Sequence, residues 1–289
     1  MIKGLIRLAR PKHWIKNVFV LIPLPFVLAA KKPEVPDMGP LLLGLLGFCL
    51  INSAVYTLND LMDAEADRLH PKKCRRPLAS GEVSPLAAGV QIAVLLLLGF
   101  GLCTLTGCWE AVALSLGYVG INIAYSAGAK HVAVFDVFLL SSGFVIRVLL
   151  GCALVGAVAS SWLLLCTTSV ALFLGFTKRR ADLLAGLDAS HRPSLEGYSR
   201  AFLDQAITIC AGVSLLAYAL YSIDAGAFFV EGREMASMPF VAYGIFNYLR
   251  ISDMENAGGS PVEIAFTSLP SQICAVGWIA AILWSLGMW

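Results

Sequence analysis

The chain is written in apolar blocks separated by shorter polar stretches. A membrane-crossing helix needs about 20 mainly apolar residues. Nine blocks approach that length, at roughly 15–30, 39–58, 85–106, 109–127, 134–156, 160–177, 204–223, 235–250 and 268–287. The first is short and carries Pro23 and Pro25. Proline removes a backbone donor and breaks the helical ladder, so a kink or a partly interfacial course is expected there. The pattern predicts an all-α, polytopic transmembrane helical bundle of about nine spans. It also predicts a single integral membrane domain over residues 1–289, with polar loops at about 59–84 and 178–203.

The connections alternate in character. One set is the N-terminus with 59–84, 128–133, 178–203 and 251–267, and it holds seventeen of the 21 lysines and arginines, counting Arg250 at its edge. The other set holds three, Lys31, Lys32 and Arg233, while Arg147 falls inside a span. Cytoplasmic loops carry the excess of basic residues. The N-terminus is therefore expected in the cytoplasm, and the C-terminus, after an odd number of spans, outside.

Composition agrees with a bilayer as solvent. Charged residues make up 14% and hydrophobic residues 58%, with a mean hydropathy of +0.78. Soluble domains carry about 25% charged residues. The net charge of +2 selects no partner class, and no nucleic-acid partner is expected. The eight cysteines form no CxxC pair and most lie in apolar blocks, which favours small packing residues over a disulfide framework or zinc site. Cys74, in a charged loop, is the exception. No cleavable leader is expected, because the first apolar block continues without a small-residue cleavage site.

The polar residues concentrate at one face. Asn59-Asp60-x-x-Asp63-x-x-x-Asp67 is followed by His70-Pro71-x-Lys73-x-x-Arg76-Pro77-x-x-x-Gly81. At about 100° per residue, Asp60, Asp63 and Asp67 fall within about 60° of one another on a helix. Three carboxylates on one face repel unless a positive group sits among them. Mg²⁺ with a diphosphate is a natural occupant, since Mg²⁺ takes a few carboxylates and completes its shell with phosphate oxygens and water. Lys72, Lys73, Arg75 and Arg76 suit phosphate oxygens. The competing reading is a solvated loop carrying a topology signal.

A second cluster is Lys178-Arg179-Arg180-x-Asp182, then Asp188, His191, Arg192, Ser194, Glu196 and Tyr198. It reads either as a phosphate site or as snorkelling cations with an ordinary Lys178–Asp182 helix pair. The basic start, Arg10 to Asn17, reads as an interfacial anchor around Trp14 or as a source of Lys16 and Asn17 for the site. Arg147 is costly at depth and should face a cavity or partner. Asp136 lies eleven residues earlier, about 16 Å by helix rise, which is too far for a direct bond. Tyr125 and Lys130 stand where they line a pocket or pair structurally. Asn247, Arg250, Asp253 and Glu255 carry a weaker signal.

These motifs resemble the UbiA prenyltransferase superfamily, and several resemble its decaprenyl-phosphate phosphoribosyltransferase branch. The carriers are Arg10-Pro11-x-x-Trp14-x-Lys16-Asn17, Tyr56-x-x-Asn59-Asp60 through Arg76-Pro77, Tyr125 with Lys130-His131, and Lys178-Arg179 with Ser194-Leu195-x-x-Tyr198. The likeness runs over about residues 5–285. It implies transfer of a 5-phosphoribosyl group from phosphoribosyl diphosphate to a polyprenyl (decaprenyl) phosphate, with Mg²⁺ as cofactor, at the bacterial cytoplasmic membrane. It implies catalytic roles for Asp60, Asp63, Lys73 and Arg76, with Asp60, Asp63 and Asp67 as metal ligands. The implied substrate contacts are Lys16, Asn17, Asn59, Asp67, Tyr125, Lys130, Arg147, Lys178, Arg179, Asp182 and Tyr198. In the family the product supplies a lipid-linked arabinofuranose donor for cell-envelope glycans.

One departure from the wider superfamily matters. Aromatic prenyltransferases carry a second Asp-rich motif after the sixth helix, where this chain offers Lys178, Arg179, Arg180 and a lone Asp182. A second metal–diphosphate clamp is hard to build from that set. The runner-up, prenyl transfer from a prenyl diphosphate to an aromatic or other acceptor, is disfavoured on this ground. A CDP-alcohol phosphotransferase expects Gly where Ala64 follows Asp63. A transporter places polar groups at the bilayer midplane, and here only Arg147 lies at depth.

Overall fold

A computed structural model describes residues 2–29, 37–69, 73–186, 193–254 and 268–288. The predicted positions Lys31, Lys32, His70, Pro71, Lys72, Asp188, His191, Arg192 and Glu255 lie outside the described residues, as does most of the 251–267 connection. The regular elements among the described residues are helical. They are α1 (Ile2–Ala9), α2 (Leu24–Ala29), α3 (Met38–Met62), α4 (Ala64–Leu69), α5 (Pro85–Leu105) and α6 (Trp109–Ser126). Then follow α7 (Phe135–Leu154), α8 (Ser161–Leu184), α9 (Arg200–Asp224), α10 (Met238–Met254) and α11 (Leu269–Ser285). A 3₁₀ segment, Pro11–Leu21, joins α1 to α2.

All nine apolar blocks fold as helix. Six helical stretches meet both the length and the hydropathy of a span: Ile2–Ala29, α3, α5, α7, α8 and α9. The remaining blocks form α6, α10 and α11, of 18, 17 and 17 residues. α6 is diluted by Glu110, Tyr118 and Asn122, and the other two are short. The structure therefore does not by itself establish nine spans. The first block is broken as Pro23 and Pro25 led one to expect, into the 3₁₀ segment and the six-residue α2.

The helices gather into two compact units. The first comprises Met1–Leu24, Pro36–Lys130 and Ile146–Val158; the second comprises Pro25–Val35, His131–Val145 and Ala159–Trp289. In the first, α3 is the central element, packing against α5, α6 and α1. Its crossing with α5 uses paired glycines. A Cβ on Gly47 would lie 2.7 Å from the Gly99 carbonyl, and one on Gly99 would lie 2.8 Å from the Gly47 carbonyl. Small residues let membrane helices approach this closely, where lipid offers no hydrophobic driving force for helix pairing. A Cβ on Gly151 would collide with the carbonyl of Val20, so the 3₁₀ segment lies directly on α7. Leu41, Phe48, Ile51, Val55, Cys103, Ile146 and Leu150 form the core of this unit.

In the second unit α8 packs on α9, and α10 on α11 and α9. Its core is Val137, Phe173, Phe176, Leu195, Leu203 and Ile207. Ser84, Ser160 and Ser199 start α5, α8 and α9, and each side-chain oxygen accepts from the amide three residues on. The outward faces are apolar: Leu86, Leu97, Leu105 and Trp109 are 72–80% exposed. Such surface suits lipid tails rather than water.

Candidate active site

The acidic motif sits where α3 ends. Asp60 occupies its last turn, Asp63 is the residue between α3 and α4, and Asp67 lies in α4. The Asp63 amide still bonds the Asn59 carbonyl at 3.0 Å, and the Asp67 amide bonds that of Asp63 at 2.8 Å. Helical register therefore carries across the joint. At about 100° per residue Asp60 and Asp67 differ by only about 20°, with Asp63 about 60° from Asp60. The side chains divide accordingly. Arg76 Nη1 donates to Asp60 Oδ1 at 3.0 Å and to Asp67 Oδ2 at 2.7 Å, one nitrogen bridging two buried carboxylates. Lys73 Nζ lies 3.8 Å from Asp67 Oδ1. Asp63 turns instead to Lys130. Among the described residues no group of three His, Cys, Asp or Glu side chains is already arranged around one point for a metal.

Arg10 joins this lattice from the N-terminal segment. Its residue holds φ 48°, a left-handed conformation rarely taken by a non-glycine residue. From there Nη2 donates to Asp60 Oδ1 at 2.6 Å, and the guanidinium lies 5.2 Å over the Tyr56 ring. The sequence had marked Arg10 only as part of a basic start. Asn59 accepts from Ser126 Oγ at 2.6 Å, next to Tyr125 in the last turn of α6. Lys130 follows in a 3₁₀ turn, Ala129–His131. The expected association of Asn59, Asp60, Asp63, Asp67, Lys73, Arg76, Tyr125 and Lys130 is thus a single neighbourhood of the first unit.

Asn17 and Arg147 lie in the same unit, one step further along α3. Arg147 is 4% exposed and donates Nε to Asn17 Oδ1 at 2.9 Å. Its charge also lies over the Phe48 and Tyr118 rings, at 5.3 and 5.1 Å. Lys16 shares the electrostatic neighbourhood of Arg147 and Arg10. Asn52 and Tyr118, which the sequence reading passed over, are joined at 2.6 Å. An asparagine inside an otherwise apolar block was the available signal.

The second cluster is built around Asp136, at the start of α7 in the second unit. Its carboxylate is 0% exposed and accepts from Arg179 Nε at 2.6 Å, Ser194 Oγ at 3.0 Å and Tyr198 Oη at 2.7 Å. The Tyr198 oxygen in turn accepts from the Val134 amide at 2.6 Å. Val134 has φ 70°, costly for a β-branched residue and held by this network. Burial, and then hydrogen bonding to the Asp136 carboxylate, push the Tyr198 phenol above its ordinary value, so it stays neutral. Arg179, 1% exposed, also lies 3.6 Å from Asp182. Lys178 is exposed on the same helix end. Arg180 is engaged by Asp204 and Asp253, and Arg250 by Asn247. Arg179 and Tyr198 are therefore structural ties of this unit as well as expected substrate contacts, and Asp136 is the tie that sequence reasoning missed.

Comparison with known proteins follows this geometry. The profile of the UbiA prenyltransferase family matches residues 20–269. A decaprenyl-phosphate phosphoribosyltransferase from Corynebacterium glutamicum is 34% identical over 97% of this chain and 86% of its own length. One from Mycobacterium tuberculosis is 31% identical, covering 98% and 94%. Among solved structures, a UbiA homolog from Archaeoglobus fulgidus bound to GPP and Mg²⁺ superposes with a TM-score of 0.72. It is 18% identical and covers 98% of this chain and 99% of that one.

Proposed function

The chain belongs to the UbiA prenyltransferase family and is an integral membrane enzyme, and within that family we propose that it transfers a 5-phosphoribosyl group from phosphoribosyl diphosphate to decaprenyl phosphate. The observation that carries the proposal is the lattice at the end of α3, where Asp60, Asp63 and Asp67 alternate with Arg10, Arg76, Lys73 and Lys130. Such a set can exchange its internal ion pairs for a diphosphate and a divalent cation at little net change in charge. Relatives named for this reaction, similar over nearly the whole chain, support the reading.

In the proposed reaction an oxygen of the lipid phosphate attacks ribose C1. The bond from C1 to the diphosphate oxygen breaks, and diphosphate departs with the electron pair. The nucleophile is anionic at neutral pH, so no side chain need remove a proton. The chain's contribution is position and charge. Arg76, Lys73, Lys130 and Arg10 would bind phosphate oxygens; Asn59, fixed by Ser126, would orient a substrate hydroxyl or phosphate. Lys16, Asn17, Tyr125 and Arg147 complete the proposed contacts of the first unit. Lys178, Arg179, Asp182 and Tyr198 are those of the second, Arg179 and Tyr198 acting through the Asp136 tie.

The donor set fits Mg²⁺. The Arg76 nitrogen within 3.0 Å of Asp60 and 2.7 Å of Asp67 marks a position a cation already fills, and oxygen ligands are those a hard cation takes. Asp60, Asp63 and Asp67 would hold the ion, which when bound neutralises charge on the departing diphosphate. The basic loops support a bacterial cytoplasmic-membrane location with the N-terminus inside and the C-terminus outside.

The test is transfer of label from phosphoribosyl diphosphate into the lipid phase by purified protein with decaprenyl phosphate. Transfer that requires Mg²⁺ and stops with EDTA is expected. Folded protein that transfers nothing to any polyprenyl phosphate would overturn the proposal and turn attention to prenyl diphosphate donors with aromatic acceptors.

A further inference from the structure

A polar stripe runs along α3 away from the carboxylates. Asp60, Tyr56, Asn52 or Ser53, and Cys49 recur at spacings of three or four and so share one face. Each meets a partner within the first unit. Trp14 Nε1 donates to Ser53 Oγ at 2.9 Å, Asn52 bonds the Tyr118 hydroxyl at 2.6 Å, and Asn17 Nδ2 lies 3.0 Å from Cys49 Sγ. Arg147 closes the far end. Asn52 lies eight residues before Asp60, about 12 Å by helix rise.

Two independent observations ask for an anion at this end. The first is charge: Lys16 and Arg147 are near neighbours within largely buried surroundings, and Arg10, which also acts on Lys16, is committed to Asp60. Like charges gathered away from water are costly unless an opposite charge joins them. The second is Asn52, which is 0% exposed and whose Oδ1 has no hydrogen-bond partner among the described residues. Amide oxygen and nitrogen are interchangeable assignments. Turned over, Asn52 would accept from the Tyr118 hydroxyl and leave its NH₂ as the open end. In either orientation one end of a fully buried amide faces an unfilled position, which buried polar groups avoid unless a ligand or water completes them.

We propose that Arg147, Lys16, Asn17 and Asn52 form a seat for a phosphomonoester dianion, separate from the carboxylate–arginine lattice that takes the diphosphate. The inference rests on the phosphoribosyl-transfer reading, in which both substrates carry such a group: the 5-phosphate of the donor and the phosphate of the lipid acceptor. A planar guanidinium presents paired donors to phosphate oxygens, and the amide and ammonium supply more. A site of this kind explains a cation held deep in α7 by an amide oxygen and two aromatic faces.

The experiment measures binding without turnover, using full-length protein in nanodiscs. Ribose 5-phosphate, decaprenyl phosphate and inorganic diphosphate with Mg²⁺ are titrated separately into wild type, Arg147→Gln and Lys16→Gln, with melting of each protein as a folding check. The seat predicts that both substitutions weaken one phosphomonoester about tenfold or more while diphosphate binding changes little. Loss confined to ribose 5-phosphate identifies the donor's 5-phosphate as occupant; loss confined to decaprenyl phosphate identifies the acceptor. Unchanged affinity for both in folded Lys16→Gln, and in Arg147→Gln or, should that not fold, Arg147→Lys, overturns the seat. Wild type that binds neither overturns it as well. Phosphomonoester binding lost on substitution, in a protein that transfers no phosphoribosyl group, would leave the seat standing and remove the reaction instead.

Discussion

Replacing Asp136 by alanine tests the most heavily buried polar group in the second unit. Asp136 is 0% exposed and Arg179 is 1% exposed, and they are joined at 2.6 Å. Deleting the carboxylate strands a guanidinium that cannot reach water, and removes the acceptor of Ser194 and Tyr198. Breaking a buried pair from one side costs about 3–5 kcal/mol. Two neutral hydrogen bonds at about 1 kcal/mol each fall largely within that figure, because the same carboxylate serves all three donors. Asp136→Ala should therefore lose about 3–5 kcal/mol. Asp136→Asn should lose less, since the amide keeps one acceptor. The double variant Asp136→Leu/Arg179→Met should recover much of the loss, because it removes both charges together. Thermal unfolding of purified protein, followed by tryptophan fluorescence at constant detergent and pH, is the assay. An Asp136→Ala midpoint within about 1 °C of wild type would refute the reasoning. So would a double variant no more stable than Asp136→Ala alone, since the cost would then not arise from the stranded charge.

Other outcomes are expected as follows. Asp60→Asn and Asp63→Asn should each reduce phosphoribosyl transfer about 100-fold or more, while the protein still melts cooperatively, because Arg10, Arg76 and Lys130 keep 20–30% side-chain exposure and can rehydrate; full activity in either removes the proposed donor site. Gly47→Val should cost about 1–3 kcal/mol by forcing α3 from α5, where the Gly99 carbonyl stands 2.7 Å from the added carbon; an unchanged melting midpoint would show slack in that crossing. Tyr198 has a folded value raised above its ordinary 10.0, so its contribution is fully present below that pH and is lost as pH rises through the folded value. Wild type should lose stability above pH 10 more steeply than Tyr198→Phe, and parallel alkaline melting curves would contradict this.

Much of the architecture was legible in the residues. Nine apolar blocks are long enough that any backbone placed in lipid must close its own hydrogen bonds, which makes them helices wherever they pack. The prolines at 23 and 25 announced the break in the first block. Spacing alone put Asp60 and Asp67 on one face and Asp63 off to the side, and the structure pairs them accordingly. The Lys178–Asp182 helix pair was one reading of the second cluster; the structure pairs Asp182 with Arg179, three residues away.

What only tertiary structure decided is the choice of partners. Arg10 meets Asp60 across 50 residues, Lys130 meets Asp63 across 67, and Arg147 meets Asn17 across 130. The sequence set aside a bond between Arg147 and Asp136 on distance, but had no means of naming Asn17 and Tyr118 for one, or Arg179, Ser194 and Tyr198 for the other. Periodicity fixes which face of a helix a side chain occupies, because the rise and turn per residue are set by the backbone. It does not fix which neighbour that face meets. That depends on where helices cross, and here the crossings are set by close contacts such as Gly47 on Gly99 and Gly151 on Val20, which bring together residues that nothing in their local sequence relates.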